Sequence, residues 1–130
     1  MPQARAIVPD SGGVRPGLNA TGSTIGKARI VKKSTAAVDA VAPATDGTAR
    51  LYGVTMEAIT NGYAGDVQVA GRAVVEASAA IAIGAKITAA AGGKAVTAGA
   101  AANVIGIAAS AAAADGEFIE VDIDREVSAA

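Results

Sequence analysis

The densest set of chemically capable side chains lies near the C-terminus, where Glu120, Asp122 and Asp124 alternate with apolar residues. Carboxylate oxygens are the ligands that calcium prefers. However, alternate residues of an extended strand stand about 7 Å apart, which is too far for easy convergence on one ion. The row therefore predicts a solvated strand face in preference to a calcium site.

Three other patterns fall short of a catalytic or cofactor site. The segment GSTIGKA, residues 22–28, has three residues between its glycines and Ala after its Lys, whereas a phosphate loop needs four residues and a Ser or Thr. Asp66 and Glu76 could form a glycosidase pair, but nothing in the sequence sets their separation. Lys86 and Lys94 show no sign of activation, and Gly-Lys-Ala around Lys94 does not match a lipoyl or biotin acceptor. We expect no cofactor.

Composition narrows the function further. The chain has 130 residues, no Cys, no His and a formal net charge of −1. Without His and Cys, the commonest general base and the thiolate metal sites are excluded. The near-neutral charge gives no general attraction to nucleic acid or to an anionic membrane, and no apolar run approaches the roughly 20 residues that span a bilayer. We expect a soluble, unsecreted protein of one domain that is not an enzyme and binds no metal.

The apolar residues favour strands over helices. Ala supplies 35 residues, and the larger aliphatics are 14 Val and 11 Ile against 2 Leu. Val and Ile are β-branched and fit strands, whereas helical proteins are normally rich in Leu. Only Tyr52, Tyr63 and Phe118 are aromatic. Because such a core buries little area per residue, we expect self-association or a partner surface to add stability.

An internal repeat indicates how the chain folds. LYGVTMEAITNGYAGDVQV, from Leu51, and VIGIAASAAAADGEFIEV, from Val104, share flanks of the form apolar-apolar-Gly-apolar and Gly-acid-apolar. Their middles differ, and the first contains Asn-Gly, a turn signal. Each copy is therefore interpreted as two strands joined by a variable loop. The alanine run is too short for a stable isolated helix, although a helical turn at Ala111–Ala114 stays open.

The same rhythm predicts an all-β domain over residues 25–130, either a small barrel or a sandwich. The remaining strands come from Val/Ile-rich runs, and a Gly-Gly turn joins two of them as a hairpin. Short helical turns or loops are expected at residues 78–83 and 98–103. The predicted strands are 4–8, 27–33, 49–56, 66–76, 85–88, 94–97, 104–109 and 117–124.

Residues 1–24 are predicted to be an extended arm. They hold three of the four prolines together with several glycines, a composition typical of extended linkers. The first 33 residues carry six basic side chains against Asp10 alone, and residues 115–130 carry six acidic ones against Arg125. The two ends could therefore attract, within one molecule or between neighbouring subunits. Such complementarity sets register and specificity more than affinity.

The final strand predicts two faces: Ile119, Val121 and Ile123 on the core side, and Phe118 among acidic residues on the other. A single exposed aromatic needs no special function, but it is also a candidate interface anchor. The candidate partner-interface residues are, in the arm, Arg5, Ile7, Val8, Val14, Arg15 and Leu18, and, in the last strand, Phe118, Glu120, Asp122 and Asp124.

Four segments together resemble tailed-phage capsid decoration proteins, also called cement or head-stabilising proteins. They are IGKARIVKKS, VAPATDGTARLYGVTMEA, GYAGDVQVAGRAVVEASAAIAIGAKI and VIGIAASAAAADGEFIEVDI. The similarity covers roughly residues 25–125 and consists of a Gly-apolar strand, a small-residue loop, Gly-acid, then Val-x-Val. Two features depart from the pattern: Ala85-Lys86 stands where an acidic residue often follows the Gly, and the Pro/Gly arm is long.

The resemblance implies a compact β-barrel or β-tulip fold, a homotrimer, and binding to the outside of the assembled major capsid protein lattice. The protein would be made in the host cytoplasm and reside on the virion, where it cements adjacent capsid proteins without chemistry. The alternative is a surface binding module, such as a receptor- or glycan-binding β domain. The scarcity of aromatics counts against sugar binding.

Overall fold

The computed structural model describes residues 13–100 and 102–124. The first half forms a closed barrel of five strands in the order β1-β3-β2-β4-β5. These strands are β1 Val14–Asn19, β2 Ile30–Lys33, β3 Ala40–Pro43, β4 Leu51–Thr55 and β5 Ala64–Gln68. Most pairs are antiparallel, and β1 closes the barrel by pairing antiparallel with β5 and parallel with β3. The barrel interior consists of Ile25, Val31, Val41, Ile59, Val67 and Val69, with Tyr52 packed against them.

The second half forms an antiparallel sheet in the order β6-β10-β9-β7-β8. Its strands are β6 Gly71–Glu76, β7 Lys86–Ala89, β8 Ala95–Thr97, β9 Gly106–Ala108 and β10 Phe118–Ile123. A second core lies between this sheet and the barrel: Ile30, Leu51 and Val54 pack in one cluster with sheet residues that include Ile87 and Ile119. Since this core joins both halves, they fold as one unit.

The all-β prediction is confirmed, and so is the strand-loop-strand interpretation of the repeat. In the first copy β4 pairs antiparallel with β5, and in the second β9 pairs antiparallel with β10. The two glycines that the copies share, Gly53 and Gly106, are required for the same physical reason. A Cβ on Gly53 would lie 2.5 Å from the carbonyl oxygen of Gln68, and one on Gly106 would overlap the carbonyl oxygen of Asp122. Both strands therefore approach a neighbouring backbone too closely for any side chain.

The alanine run of the second copy belongs to the connecting loop. Residues 111–114 have no helical turn, and Ala112 forms an isolated bridge with Ile81. The predicted Gly-Gly hairpin is also present: β7 and β8 pair antiparallel across a short 3-10 turn at Ala91–Gly93. Residues 78–83 and 98–100 are loops without a helical turn.

Three predictions about strands need correction. Residues 14–19, assigned to an arm outside the barrel, form β1, and β3 was not predicted at all. Pro16 and Gly17 suggested an extended linker, but Gly17 is buried where a Cβ would meet Val67 at 2.7 Å, so the glycine lets β1 pack closely. The single strand predicted over residues 66–76 is two strands, because the chain turns before Gly71, which has φ of 84°. The predicted strand at residues 4–8 lies outside the described residues.

Candidate docking surface

The outer face of strands β6 and β10 carries the predicted acidic row. Three residue pairs face outward: Arg72 with Asp122, Val74 with Glu120, and Glu76 with Phe118. Between them the inward residues of β10, Ile119 and Val121, are fully buried. Because side chains alternate across a strand, the chain presents a mixed charged and apolar face on the side of β10 opposite to its buried residues. The two-faced prediction for β10 is thus confirmed.

Arg72 neutralises part of the acidic row. Its Nε donates to Asp122 Oδ1 at 2.8 Å, and its Nη1 lies 3.4 Å from Glu120 Oε1. The hydrogen bond from Arg72 lowers the pKa of the Asp122 carboxyl, and the same bond raises the pKa of Arg72. Asp122 is therefore an ion-paired carboxylate at neutral pH. Within the described chain, Asp122 and Glu120 are thus paired with Arg72 of β6, the neighbouring strand of the same sheet.

An apolar groove borders this face. It has a volume of about 450 Å³ and runs between the barrel and the free edge of β6. Met56, Val74 and Phe118, which are 50%, 51% and 52% exposed, supply its large apolar side chains. The remaining lining residues are Lys27, Ala28, Val54, Thr55, Gln68 and Arg72. Half-exposed apolar side chains that converge on one concavity are typical of an interaction site.

A second ionic cluster fixes the barrel to the sheet behind this groove. Arg29, just before β2, donates to Glu76 Oε1 on β6 at 3.0 Å and to the carbonyl of Gly92 at 3.2 Å. Lys94 lies 3.3 Å from Glu76 Oε2 and 3.1 Å from Asp115 Oδ1. The hydrogen bonds to Asp115 and Glu76 raise the pKa of Lys94. Through Arg29 the cluster links the barrel to β6 and to the turn between β7 and β8.

The far end of the barrel presents a second apolar surface, which we call the barrel tip and define as Val38 and Tyr63. Val38 is 84% exposed and Tyr63 is 68% exposed. The backbone ties both loops to the end of β1, since Leu18 N donates to Asp39 O and Asn19 N to Tyr63 O.

A buried side chain stiffens the barrel tip. Asn19 has no exposed surface, and its Nδ2 donates to the carbonyls of Ser23 and Ile59, each at 2.7 Å. Its Oδ1 accepts from the backbone N–H of Thr21 at 3.0 Å. These bonds satisfy a buried amide and hold the loop after β1 against the one before β5.

The structure brings together some of the predicted interface residues. Phe118, Glu120 and Asp122 share one face, and Asp124, also exposed, follows at the end of β10. Val14, half-buried, pairs with the groove residue Gln68, whereas Leu18 pairs with Ala64 near the barrel tip. Arg15 is exposed on β1. Arg5, Ile7 and Val8 lie outside the described residues.

Sequence reasoning missed four exposed apolar residues of the groove and the barrel tip: Met56, Val74, Val38 and Tyr63. Tyr63 carried a usable signal as one of only three aromatics. Val74 and Val38 carried none, because a Val in a strand pattern or beside an alanine run is normally part of a core.

The described residues do not assemble a metal site. Among residues 13–100 and 102–124, no group of three or more Asp and Glu side chains is arranged to hold a metal ion. Within the same part of the chain, no helix is long and apolar enough to cross a membrane.

Comparison with known protein families identifies the family of the chain. The sequence profile described as "Phage cement protein" matches residues 14–123, from the first to the last strand. The chain belongs to the phage cement protein family. Membership gives the coarse function, a structural protein of the phage capsid. The match starts at Val14, so the family pattern includes β1 as a part of the domain.

A solved structure supports the fold independently of the family match. The N base of head fiber gp8.5 of bacteriophage phi29 superposes with a TM-score of 0.68 at 20% sequence identity, covering 86% of this chain and 93% of that one. At this identity the likeness concerns the fold alone. A search of curated proteins finds no sequence that matches this member of the cement family.

Proposed function

We propose that the protein binds the outer surface of an assembled phage capsid and holds adjacent major capsid proteins together. The observation that carries this proposal is membership of the phage cement protein family over residues 14–123. The protein acts by contact alone: area buried across a seam between capsid subunits makes separation of those subunits less favourable. At a concentration of 100 times Kd, one such site contributes about 2.7 kcal/mol.

Cementing needs at least two contact surfaces, and the presence of two well-separated exposed apolar surfaces supports the proposal. The groove and the barrel tip lie at opposite ends of the β1–β5 pair, since Gln68 lines the groove and Ala64 precedes it by four residues, beside Tyr63. Four residues of strand span about 13 Å. We propose that the barrel tip contacts the shell and that the face of β6 and β10 contacts a sister subunit in a homotrimer.

Four of the candidate interface residues belong to the proposed contact with a sister subunit. Phe118, Glu120 and Asp122 belong to the face toward a sister subunit, together with Asp124 at the end of β10. The basic N-terminal residues, Arg5 and Arg15, supply charge of the opposite sign. Opposed charges of this kind fix register and suppress wrong partners, which a repeating lattice requires.

Sedimentation with purified shells tests this function. Shells assembled from the major capsid protein, and separately the unassembled capsid protein, are mixed with the cement protein and pelleted or resolved by gel filtration. We expect saturable binding to shells and none to free capsid protein, because the site is completed only at a seam. The proposal is wrong if the protein stays in the supernatant at all concentrations up to about 100 μM, beyond the range of specific interfaces.

Two single substitutions test whether the barrel tip contacts the shell. Tyr63→Ser and Val38→Ser are expected to weaken shell binding about tenfold or more, because both side chains are exposed in the free protein and gain burial only on contact. Ile83→Ser is the matched control, since Ile83 is 70% exposed but lies in the loop between β6 and β7. Equal losses from all three variants would contradict the assignment of the barrel tip.

A further inference from the structure

The wall of the apolar groove includes an open strand edge. β6 is an outer strand of its sheet, and within the described part of the chain it pairs only with β10. On its other side, the N–H of Glu76 donates to the carbonyl of Ala28 at 3.1 Å. Alternate residues of a strand direct their backbone groups to the same side, so Arg72 and Val74 also direct theirs away from β10 and toward the groove.

The opposite strand confirms this orientation. In β10 the carbonyl of Glu120 accepts from Ala109 N at 2.7 Å, on the β9 side, so Glu120 does not exchange backbone bonds with Val74 across from it. The carbonyl of Arg72 is taken by Gln68 Nε2 at 2.9 Å. The N–H and C=O of Val74 have no backbone partner among residues 13–100 and 102–124. An exposed strand edge with open backbone groups is a template for one more strand.

We propose that residues 1–12 of the same chain bind in this groove as an added strand, antiparallel to β6. The described chain begins at the right place. The carbonyl of Gly13 accepts from Val69 N at 2.8 Å, and a Cβ on Gly13 would lie 3.6 Å from the carbonyl oxygen of Ala70. Two residues beyond Ala70, Arg72 already lines the groove. A segment that leaves Gly13 along β6 therefore runs opposite to β6.

Length and tethering favour the chain's own segment over a free peptide. β6 spans about 13 Å from Arg72 to Glu76, and twelve extended residues reach about 40 Å. Because the segment is attached at the mouth of the groove, its effective concentration is in the millimolar range or above. Weak pairing to a short edge is then enough to keep the groove occupied.

One register suits the chemistry of both partners. Ile7 and Val8 are the large aliphatic residues of the segment's interior. With Val8 opposite Val74, the two residues exchange both backbone bonds at the open edge, and Val8 contacts Val74 and Met56. Pro9, which lacks an N–H, then turns its nitrogen away from β6, the position that a strand tolerates. Asp10 falls beside Arg72, an opposite charge.

The added strand lies on the side of β6 opposite to β10, the strand that carries Phe118. Residues 1–12 thus complete the surface that a neighbour meets. This inference concerns the isolated protein and holds or fails independently of capsid binding.

Engineered disulfides test the pairing directly, because the chain has no cysteine of its own. Val8→Cys is combined with Val74→Cys, and the control combines Val8→Cys with Ile83→Cys, at an exposed loop site away from the groove. Under mild oxidation at micromolar protein, we expect an intramolecular disulfide at least tenfold faster in the Val74 pair. Equal rates in the two pairs overturn the proposal, and a covalent dimer in the Val74 pair overturns it in favour of the segment of a second copy.

Hydrogen exchange provides a second readout that needs no cysteine. The amide of Val74 is compared in the full chain and in a chain that lacks residues 1–12, with folding of both checked by circular dichroism. We expect exchange of the Val74 amide to be at least tenfold slower in the full chain, while the amide of Ile119 in β10 exchanges equally in both. Equal exchange of the Val74 amide in two folded proteins contradicts an added strand.

Discussion

Arg72 shows how single residues set the character of the outer face. An unpaired row of three carboxylates would repel itself, and Arg72 binds two of its members through one planar guanidinium. Both partners are more than half exposed, so the pair contributes orientation more than stability. The sequence allowed the row to be predicted from its alternation with Ile and Val. It could not reveal Arg72 as the counter-ion, because the register between two strands 48 residues apart is set by the whole sheet.

Acid titration tests the Arg72–Asp122 pair. Since pairing depresses the pKa of Asp122 in the folded state, its contribution to the free energy of unfolding is fully present above the unfolded pKa, about 3.9. The contribution is lost as pH falls through the lower folded value. We expect Arg72→Met to lower the melting temperature at pH 7 more than at pH 2. Equal losses at both pH values would mean that the bond does not form in solution.

Substitution of Phe118 distinguishes a role in subunit contact from a role in core stability. Because its side chain is 52% exposed, we expect Phe118→Ala to change the free energy of unfolding by about 0.5 kcal/mol or less while weakening self-association in gel filtration and sedimentation. Its neighbour Ile119 is 1% exposed, and Ile119→Ala should cost about 2–5 kcal/mol. The reverse ranking of the two variants in thermal melts would place Phe118 inside the core.

At the level of elements, β1 is the least expected and most consequential strand. It pairs with β5 over five residues and with β3 over two, and without it the barrel is open. Pro and Gly within VRPGLN argued against a strand when the sequence was considered alone. The barrel tolerates both, because Gly17 sits where β1 must approach Val67 closely, a requirement that only the three-dimensional packing creates.

Two deletions distinguish a strand from an arm. Removal of residues 1–12 should leave the barrel folded, since β1 is intact. Removal of residues 1–18 takes away nearly all of β1, and the exposed edges of β3 and β5 should then cause loss of cooperative unfolding or aggregation. The measurements are circular dichroism melts and light scattering. Identical, cooperative melts for both truncated chains would contradict the role of β1 in closing the barrel.

Gly106, a glycine shared by the two copies of the repeat, and Gly99, a loop glycine, allow a matched pair of substitutions. A Cβ on Gly106 overlaps the backbone of Asp122, whereas a Cβ on Gly99 meets nothing within 4 Å. We expect Gly106→Ala to lower the free energy of unfolding by about 1–3 kcal/mol, the usual range for overpacking, and Gly99→Ala to change it by about 0.5 kcal/mol or less. Chemical denaturation measures both, and equal values would remove the close-approach explanation of the repeat.

For the whole molecule, the Val/Ile-rich composition predicted the all-β class, and the repeat predicted two of the antiparallel strand pairs. The division into a barrel and a second sheet was not predictable, because it depends on the turn before Gly71, where one predicted strand becomes two. The docking surface was predictable only on β10, where periodicity gives the direction of each side chain. Its other members, Met56 after β4 and Val74 on β6, meet only because the strand order brings the barrel beside the outer strand of the second sheet.

The rupture temperature of shells tests the central claim most directly, because cementing means that bound protein delays the separation of capsid subunits. Genome-filled particles that lack the protein are heated with a DNA-binding dye, with and without saturating added protein. We predict a higher temperature of DNA release in its presence, a rise that disappears with Tyr63→Ser at the same concentration. An unchanged release temperature on particles shown to be saturated would contradict the account.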